Sequence, residues 1–165
     1  MACKVSGMAI FTYQRVIRFH ETDAAGVVYF ATLLSLCHEA YEAAIAAHSA
    51  LIPKQFFSGA AETAVPIVHT AADFYQPLFC GDSVSIAVVP KQLSPHSFEI
   101  AYVVSKNIVS KDAVAKGDAN KGDPTSDRAK QAVKAFTRHV CIETATRRRA
   151  ALPAELVRWI EMLAE

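Results

Sequence analysis

The sequence predicts an α+β fold in which one long helix packs against a five-stranded antiparallel sheet. Three observations predict it. Residues 27–47 repeat apolar side chains at helical spacing over several turns. Five other segments read as strands, most of them by alternation of apolar and polar residues. The order is strand, long helix, then four mostly meandering strands, and one helix laid on one antiparallel sheet gives two layers.

The first strand is residues 11–19, FTYQRVIRF, with Phe11, Tyr13, Arg15, Ile17 and Phe19 on one face and Val16 on the other. The turn HETDAAG follows. In the helix over 27–47, Phe30, Leu33, Leu34, Cys37, Tyr41, Ala44 and Ile45 form the apolar face, and Ser35, Glu39 and Glu42 fall on a more polar side. Frequent alanine favours the helix. Pro53 and Gly59 mark SALIPKQFFSGA as a connection. The strand at 63–76 contains Pro66, which makes its start irregular or edge-like. At 83–91, Val84, Ile86 and Val88 alternate with Ser83, Ser85 and Ala87, and at 97–109 one face carries Phe98, Ile100, Tyr102 and Val104. The last strand, 131–143, ends in the apolar run HVCI. The intervening stretch is rich in Lys, Asp and Gly and lacks large apolar residues, so 111–128 is expected to be a mobile hairpin loop. A short amphipathic helix follows Pro153, with Leu156, Ile160 and Leu163 at helical spacing.

The 165 residues suit one domain, residues 1–165, and a hydrophobic share of 52% supplies a sizeable core. Seventeen basic residues against sixteen acidic leave a formal net charge of +1, which argues against a nucleic-acid-binding domain but leaves room for a local basic patch holding one anionic ligand. No apolar run reaches the roughly 18 to 20 residues of a membrane span. The N-terminus MACKVSGMAIFTYQR lacks the apolar core of a secretory signal. Cys3, Cys37, Cys80 and Cys141 are scattered with no C-x-x-C pair, Cys37 and Cys141 sit in apolar patterns as buried free thiols, and all four suit a reducing cytoplasm. A single helix cannot cover both faces of five strands, so a homo-oligomer, dimer or tetramer, is expected.

The segment carrying chemistry runs from Arg18 to Phe30. It joins strand to helix and holds two carboxylates, Glu21 and Asp23, two residues apart, while Gly26 admits an unusual backbone angle or a close ligand approach. The N–H groups that open the helix are unsatisfied and carry the positive end of its dipole. A carboxylate facing such donors is what thioester hydrolysis needs: the donors stabilise charge on the carbonyl oxygen, and the carboxylate attacks the carbon or activates water. The plainer reading is that Thr22 or Asp23 merely caps the helix.

The motif TDAAGVVYF before a long helix resembles the signature of the 4-hydroxybenzoyl-CoA thioesterase family of hotdog proteins, over most of the chain from Phe11 to Leu152. Within that family, the stretch RFHETDAAGVVYFATLLSLCHEAYEAAI is most similar to the cyanobacterial hydrolases of 1,4-dihydroxy-2-naphthoyl-CoA, which act on the way to phylloquinone. The resemblance implies a hotdog fold, a five-stranded antiparallel sheet wrapped around one long central helix, and an acyl-CoA thioesterase that needs no cofactor. It implies that Asp23 is the catalytic carboxylate and that the backbone N–H of Phe30 is the oxyanion donor. Glu21 stands where the family has a first acidic residue. Tyr29 is implied at the substrate, Arg147, Arg148 and Arg149 at coenzyme A phosphates, and His96 and Ser97 near the nucleotide. For the arginines a solvated basic cluster is the competing reading.

His38, His48, His69 and His139 lack metal-ligand spacing and read as structural, so no metal is expected. Glu39 and Glu42 matter because another branch of hotdog thioesterases places its catalytic Glu on this helix, although here the turn already supplies Asp23. Phe56, Phe57, Phe74, Tyr75 and Phe79 could line an aromatic acyl pocket; taken singly, each reads as ordinary core.

Overall fold

The computed structural model describes residues 10–47, 53–58, 61–107 and 130–164. Its elements are β1 (Phe11–Val16), a 3-10 turn (Phe19–Glu21), α1 (Phe30–Ala46), α2 (Pro53–Phe56), β2 (Thr63–Ala64), β3 (Ile67–Phe74), β4 (Ser83–Ser94), β5 (Ser97–Lys106), β6 (Lys130–Val140), β7 (Ile142–Glu143) and α3 (Ala154–Ala164). The expected mobile hairpin at 111–128, His48 and Cys3 lie outside the described residues.

Five strands form one antiparallel sheet in the order β1-β4-β5-β6-β3, and β2 and β7 form a separate two-stranded ribbon. The expected meander holds for β4, β5 and β6. It fails for β3, which pairs with β6 rather than with its successor β4. The chain leaves β3 through Tyr75 and Gln76, whose N–H groups both donate to the Ala132 carbonyl at 2.8 and 3.2 Å, and then meets Pro77 and Gly81, the latter at φ +89°. These residues carry it past the helix entry to the opposite side of the sheet, where Gly81 N–H donates to Ile17 O at 2.9 Å.

Strand alternation explains the core. Val84, Ile86 and Val88 of β4 and Phe98, Ile100, Tyr102 and Val104 of β5 are all buried, as their period of two requires. On α1 the buried residues are Leu33, Leu36, Cys37, Ala40, Tyr41, Ala44 and Ile45. Phe30 and Leu34, expected on that face, are exposed and half-buried: Phe30 is the first residue of α1 and stands at the open end of the stripe, and Leu36 and Ala40 rather than Leu34 take its inner side. Phe19 is likewise 82% exposed instead of inward, since β1 ends at Val16 and the 3-10 turn breaks the alternation. The expected last strand breaks at buried Cys141, beyond which β7 joins the ribbon.

The expected short helix after Pro153 forms as α3, so two helices rather than one lie against the sheet. Helix α3 packs against β4. It buries Leu156, Trp159 and Ile160, and the Trp159 indole donates to the Ala44 carbonyl at 3.3 Å, closing the last turns of α1. Burial of each such large apolar side chain stabilises by about 1.5–3 kcal/mol.

One polar chain crosses the core. His139 Nδ1–H donates to Val65 O at 3.0 Å, so Nε2 accepts from the Thr137 hydroxyl at 2.9 Å, whose oxygen accepts from Tyr102 at 3.1 Å. The imidazole stacks on Phe98 with centroids 4.6 Å apart. Burial holds its pKa below the ordinary 6.5, and the nearby His38 adds to this against the opposing Val65 bond. The unfolded chain therefore binds this proton first as pH falls. The stability due to neutral His139 is complete above about 6.5 and drains away as pH drops from there towards the folded value. Thermal midpoints measured from about pH 7 to about pH 5 should fall more steeply for the natural protein than for His139→Gln; parallel curves would count against this account.

Candidate active site

The chain between β1 and α1 is tied at nearly every residue. Asp23 N–H donates to Val27 O and Gly26 N–H to Asp23 O, both at 2.9 Å, and Gly26 at φ +78° takes the left-handed position that closes the loop. Asp23 Oδ1 accepts from Ala25 N–H at 2.8 Å, which holds the carboxylate in one orientation. Val28 N–H donates to Leu78 O at 2.8 Å, and Tyr29 N–H donates to Glu21 O at 2.9 Å. The turn is thus braced by the β3–β4 connection on one side and by Glu21 on the other.

The capping alternative is overturned. The N-cap of α1 is Tyr29, no side chain caps the first turn, and that turn contains no acidic residue. Thr22 spends its hydroxyl on Phe19 O at 2.7 Å. The helix therefore opens at Phe30 with its dipole uncapped.

Asp23 and Phe30 meet at one cavity of about 410 Å³, walled by Val27, Val28 and Leu33 from the turn and helix, Phe74 to Leu78 after β3, and Val133 of β6. The walls are mostly apolar, and Asp23 is the one carboxylate among them. The sequence reading missed Gln76, Leu78 and Val133, which are distant in the chain; only the strand pairing Phe74↔Val133 brings β6 here. Phe74 and Tyr75 belong to this wall and are half exposed, not core. Phe79 is also exposed, with the Lys106 ammonium 5.4 Å from its ring. Tyr29 flanks the cavity, its ring 4.7 Å from that of Phe30.

Glu21 is buried. Its carboxylate accepts from Arg15 and, at 2.7 Å, from Arg18 N–H. Arg15 also reaches Glu39, which accepts from the Tyr13 hydroxyl at 2.7 Å; this bond raises the Tyr13 pKa. The Glu39 carboxylate is thereby occupied. Glu42 is exposed, 3.9 Å from His38. Burial pushes the Cys37 thiol up to about 12, so it supplies no thiolate nucleophile.

The other candidate residues gather elsewhere. Arg147, Arg148 and Arg149 project from the turn after β7, where Arg147 takes φ +61° and its N–H donates to Glu143 O at 3.0 Å. His96 joins them: its Nδ1–H donates to Ala150 O at 3.0 Å, and its carbonyl accepts from Cys141 N–H at 2.8 Å. Ser97 shares a 2.7 Å bond with Ser94. Arg147 borders a second cavity of about 530 Å³ with Tyr41, Phe56, Phe57 and His139. A third, of about 460 Å³, is lined by Ser35, His38, Thr70 and Thr137 and by two further carboxylate residues, Glu39 and Glu42. All three are lined by residues of α1, β3 and β6. From Val133 to His139 is about 20 Å of strand, so the structure unites Asp23 with Phe30 and His96 with the arginines, but does not place the two groups in one cavity.

Comparison with known proteins bears on the family. The family model of the thioesterase-like superfamily matches residues 17–160. The chain is 42% identical over 151 residues to the 1,4-dihydroxy-2-naphthoyl-CoA hydrolase of Nostoc punctiforme, covering 92% of this chain and 86% of that protein. It is 40% identical over 158 residues to the enzyme of the same name from Synechococcus elongatus, covering 96% and 100%. The crystal structure of a 1,4-dihydroxy-2-naphthoyl-CoA thioesterase from Synechocystis superposes with a TM-score of 0.75 at 32% identity, over 94% of this chain and 98% of that one. With an antiparallel sheet packed against a helix, and with sequence likeness running through both the turn and the strands, the chain belongs to the thioesterase-like superfamily of hotdog proteins.

Proposed function

We propose that this protein hydrolyses acyl-CoA thioesters and that its substrate is 1,4-dihydroxy-2-naphthoyl-CoA, released as 1,4-dihydroxy-2-naphthoate and coenzyme A. The observation that carries the reading is the exposed Asp23 carboxylate at the wall of a mostly apolar cavity that it shares with Phe30, where α1 begins without a side-chain cap. The substrate class follows from relatives of that name at about 40% identity along almost the whole chain.

In this reading the thioester carbonyl oxygen points at the Phe30 N–H, which stabilises the oxyanion as it forms. Asp23 either attacks the carbonyl carbon, expelling the coenzyme A thiolate and leaving an anhydride for water to open, or takes a proton from the attacking water. In a single turnover in isotopically labelled water, label in Asp23 with none in the naphthoate identifies the anhydride route, with water opening it at the aspartyl carbonyl; label in the naphthoate alone fits direct attack by water or opening at the naphthoyl carbonyl. The apolar walls hold the ring system, with Tyr29 at the rim. Arg147, Arg148 and Arg149, with His96 and Ser97, hold the nucleotide end, because guanidinium groups match phosphate oxygens with paired donors.

The working unit in this proposal is a homo-oligomer built from one hotdog domain per chain, each sheet wrapped around α1 as its central helix. Support comes from the sheet edges. β3 is an edge strand, and Ile67, Val68, Phe74 and Tyr75 are all exposed along or just beyond it. A second copy paired there would bury this apolar row and close the open side of the Asp23 cavity. The setting is the cytoplasm, and among the described residues no helix is long and apolar enough to cross a membrane.

A thiol-reactive dye assay should show higher kcat/KM on 1,4-dihydroxy-2-naphthoyl-CoA than on benzoyl or fatty acyl thioesters. Equal or better rates on fatty acyl chains would replace this substrate with a general acyl-CoA one. Asp23→Asn keeps the shape of the turn and should lose kcat by roughly a hundredfold or more; near-normal kcat in the folded variant would remove Asp23 from the chemistry. Replacing Arg147 and Arg148 together with Ala should raise KM at little cost in kcat, most clearly at low salt. An unchanged KM would make the arginines a solvated cluster. Light scattering should give at least a dimer, and a fully active monomer would contradict the assembly.

A further inference from the structure

We propose that Arg15 is a positioning residue that fixes the Asp23 carboxylate relative to the opening of α1, acting through an ion-pair clamp on Glu21 and Glu39. The proposal rests on the reading of Asp23 as the reacting carboxylate.

Three elements meet at this guanidinium. Arg15 stands on β1 with its side chain only 11% exposed. One of its terminal nitrogens donates to Glu21 in the turn and the other to Glu39 on α1. The remaining carboxylate oxygens are engaged as well: Glu21 Oε2 accepts from Arg18 N–H at 2.7 Å, and Glu39 Oε1 accepts from Tyr13 at 2.7 Å. The planar fork of arginine can serve two carboxylates at fixed angles, and a lysine ammonium cannot do so with the same geometry.

The clamp acts on both halves of the site. Glu21 lies two residues before Asp23, and its carbonyl accepts the N–H of Tyr29, the residue before Phe30. Moving Glu21 therefore moves the carboxylate and the helix opening relative to each other. Glu39 sits nine residues after Phe30 on α1, so its attachment to Arg15 sets how the helix is rotated against β1. Arg15 Nε is buried without a hydrogen-bond partner.

A merely structural ion pair and a positioning clamp differ in what they do to folded enzyme. The test compares Arg15→Met/Glu21→Gln, which removes both buried charges together, with Glu39→Ala, which frees the helix at a half-exposed residue and leaves the buried pair intact. Arg15→Lys serves as the charge-retaining arm. kcat, KM and thermal midpoint are measured on 1,4-dihydroxy-2-naphthoyl-CoA. The double variant should lose kcat tenfold or more and Glu39→Ala threefold to tenfold, each with KM within twofold, and Arg15→Lys should fall between the double variant and the natural protein. A lower melting midpoint with kcat retained would overturn the proposal. If the double variant does not fold, full kcat in Glu39→Ala overturns it alone. Absence of thioesterase activity in the natural protein, or its survival in Asp23→Asn, would instead fail the underlying reading of the site.

Discussion

A buried carboxylate beside the turn is the constraint on which the rest of the site depends. Among the described residues, Glu21 is the one acidic side chain classed as buried. Taking a carboxylate out of water costs several kcal/mol unless its oxygens are paired. Here both are, by the Arg15 guanidinium and by Arg18 N–H. That pairing fixes β1, the 3-10 turn and, through the Glu21 carbonyl and Tyr29 N–H, the entry to α1. Asp23 is then presented two residues further on, braced by its own bond to Ala25 N–H and exposed to the cavity. The two acidic residues of the turn thus differ in setting, one paired within the frame and the other facing the cavity.

The cavities along α1 separate two kinds of chemistry. Register sets the sequence of their walls: Phe74 opposes Val133 at the Asp23 end, Thr70 opposes Thr137 in the middle, and Ile67 opposes His139 at the far end, where the arginine turn begins. A carboxylate and an uncapped helix stand at one end, and three exposed guanidiniums stand beyond the other. A long ligand with a reactive carbonyl at one terminus and phosphates at the other, as proposed, would have to pass Glu39 and Glu42 between Asp23 and the arginines. Arg147 holds a left-handed backbone angle of +61°, a conformation that costs a non-glycine residue about 1–3 kcal/mol. The bonds of its turn to Glu143 and Thr146 compensate for it.

The edge strand β3 bears on the function in a different way. Its unpaired side and exposed apolar residues are a liability for an isolated chain. The same residues, Phe74 and the adjoining Tyr75, wall the Asp23 cavity. Pairing with a second copy, as proposed, would address stability and site closure at once.

Sequence by itself determined a good deal. The period of two in β4 and β5 and the period near 3.6 in α1 specify local geometry and inner faces, and these depend only on neighbours in the chain. The pairing of Glu21 with Asp23, the left-handed Gly26 and the start of a helix shortly afterwards were equally legible, because turn chemistry is local. Resemblance in TDAAGVVYF carried the reading from a turn to a thioesterase family. Tertiary structure alone decided the strand order, since nothing within β3 says that it joins β6 rather than β4. It decided that Tyr29, and not Asp23 or Thr22, occupies the N-cap position of α1, with its N–H donating to the Glu21 carbonyl and no side chain capping the turn. It also decided that Val133 and Leu78 wall the cavity, that Phe19 faces outward, and that Arg15 grips two carboxylates from different elements. Each of these depends on contacts between residues far apart in the chain, and such contacts leave no periodic trace in the sequence.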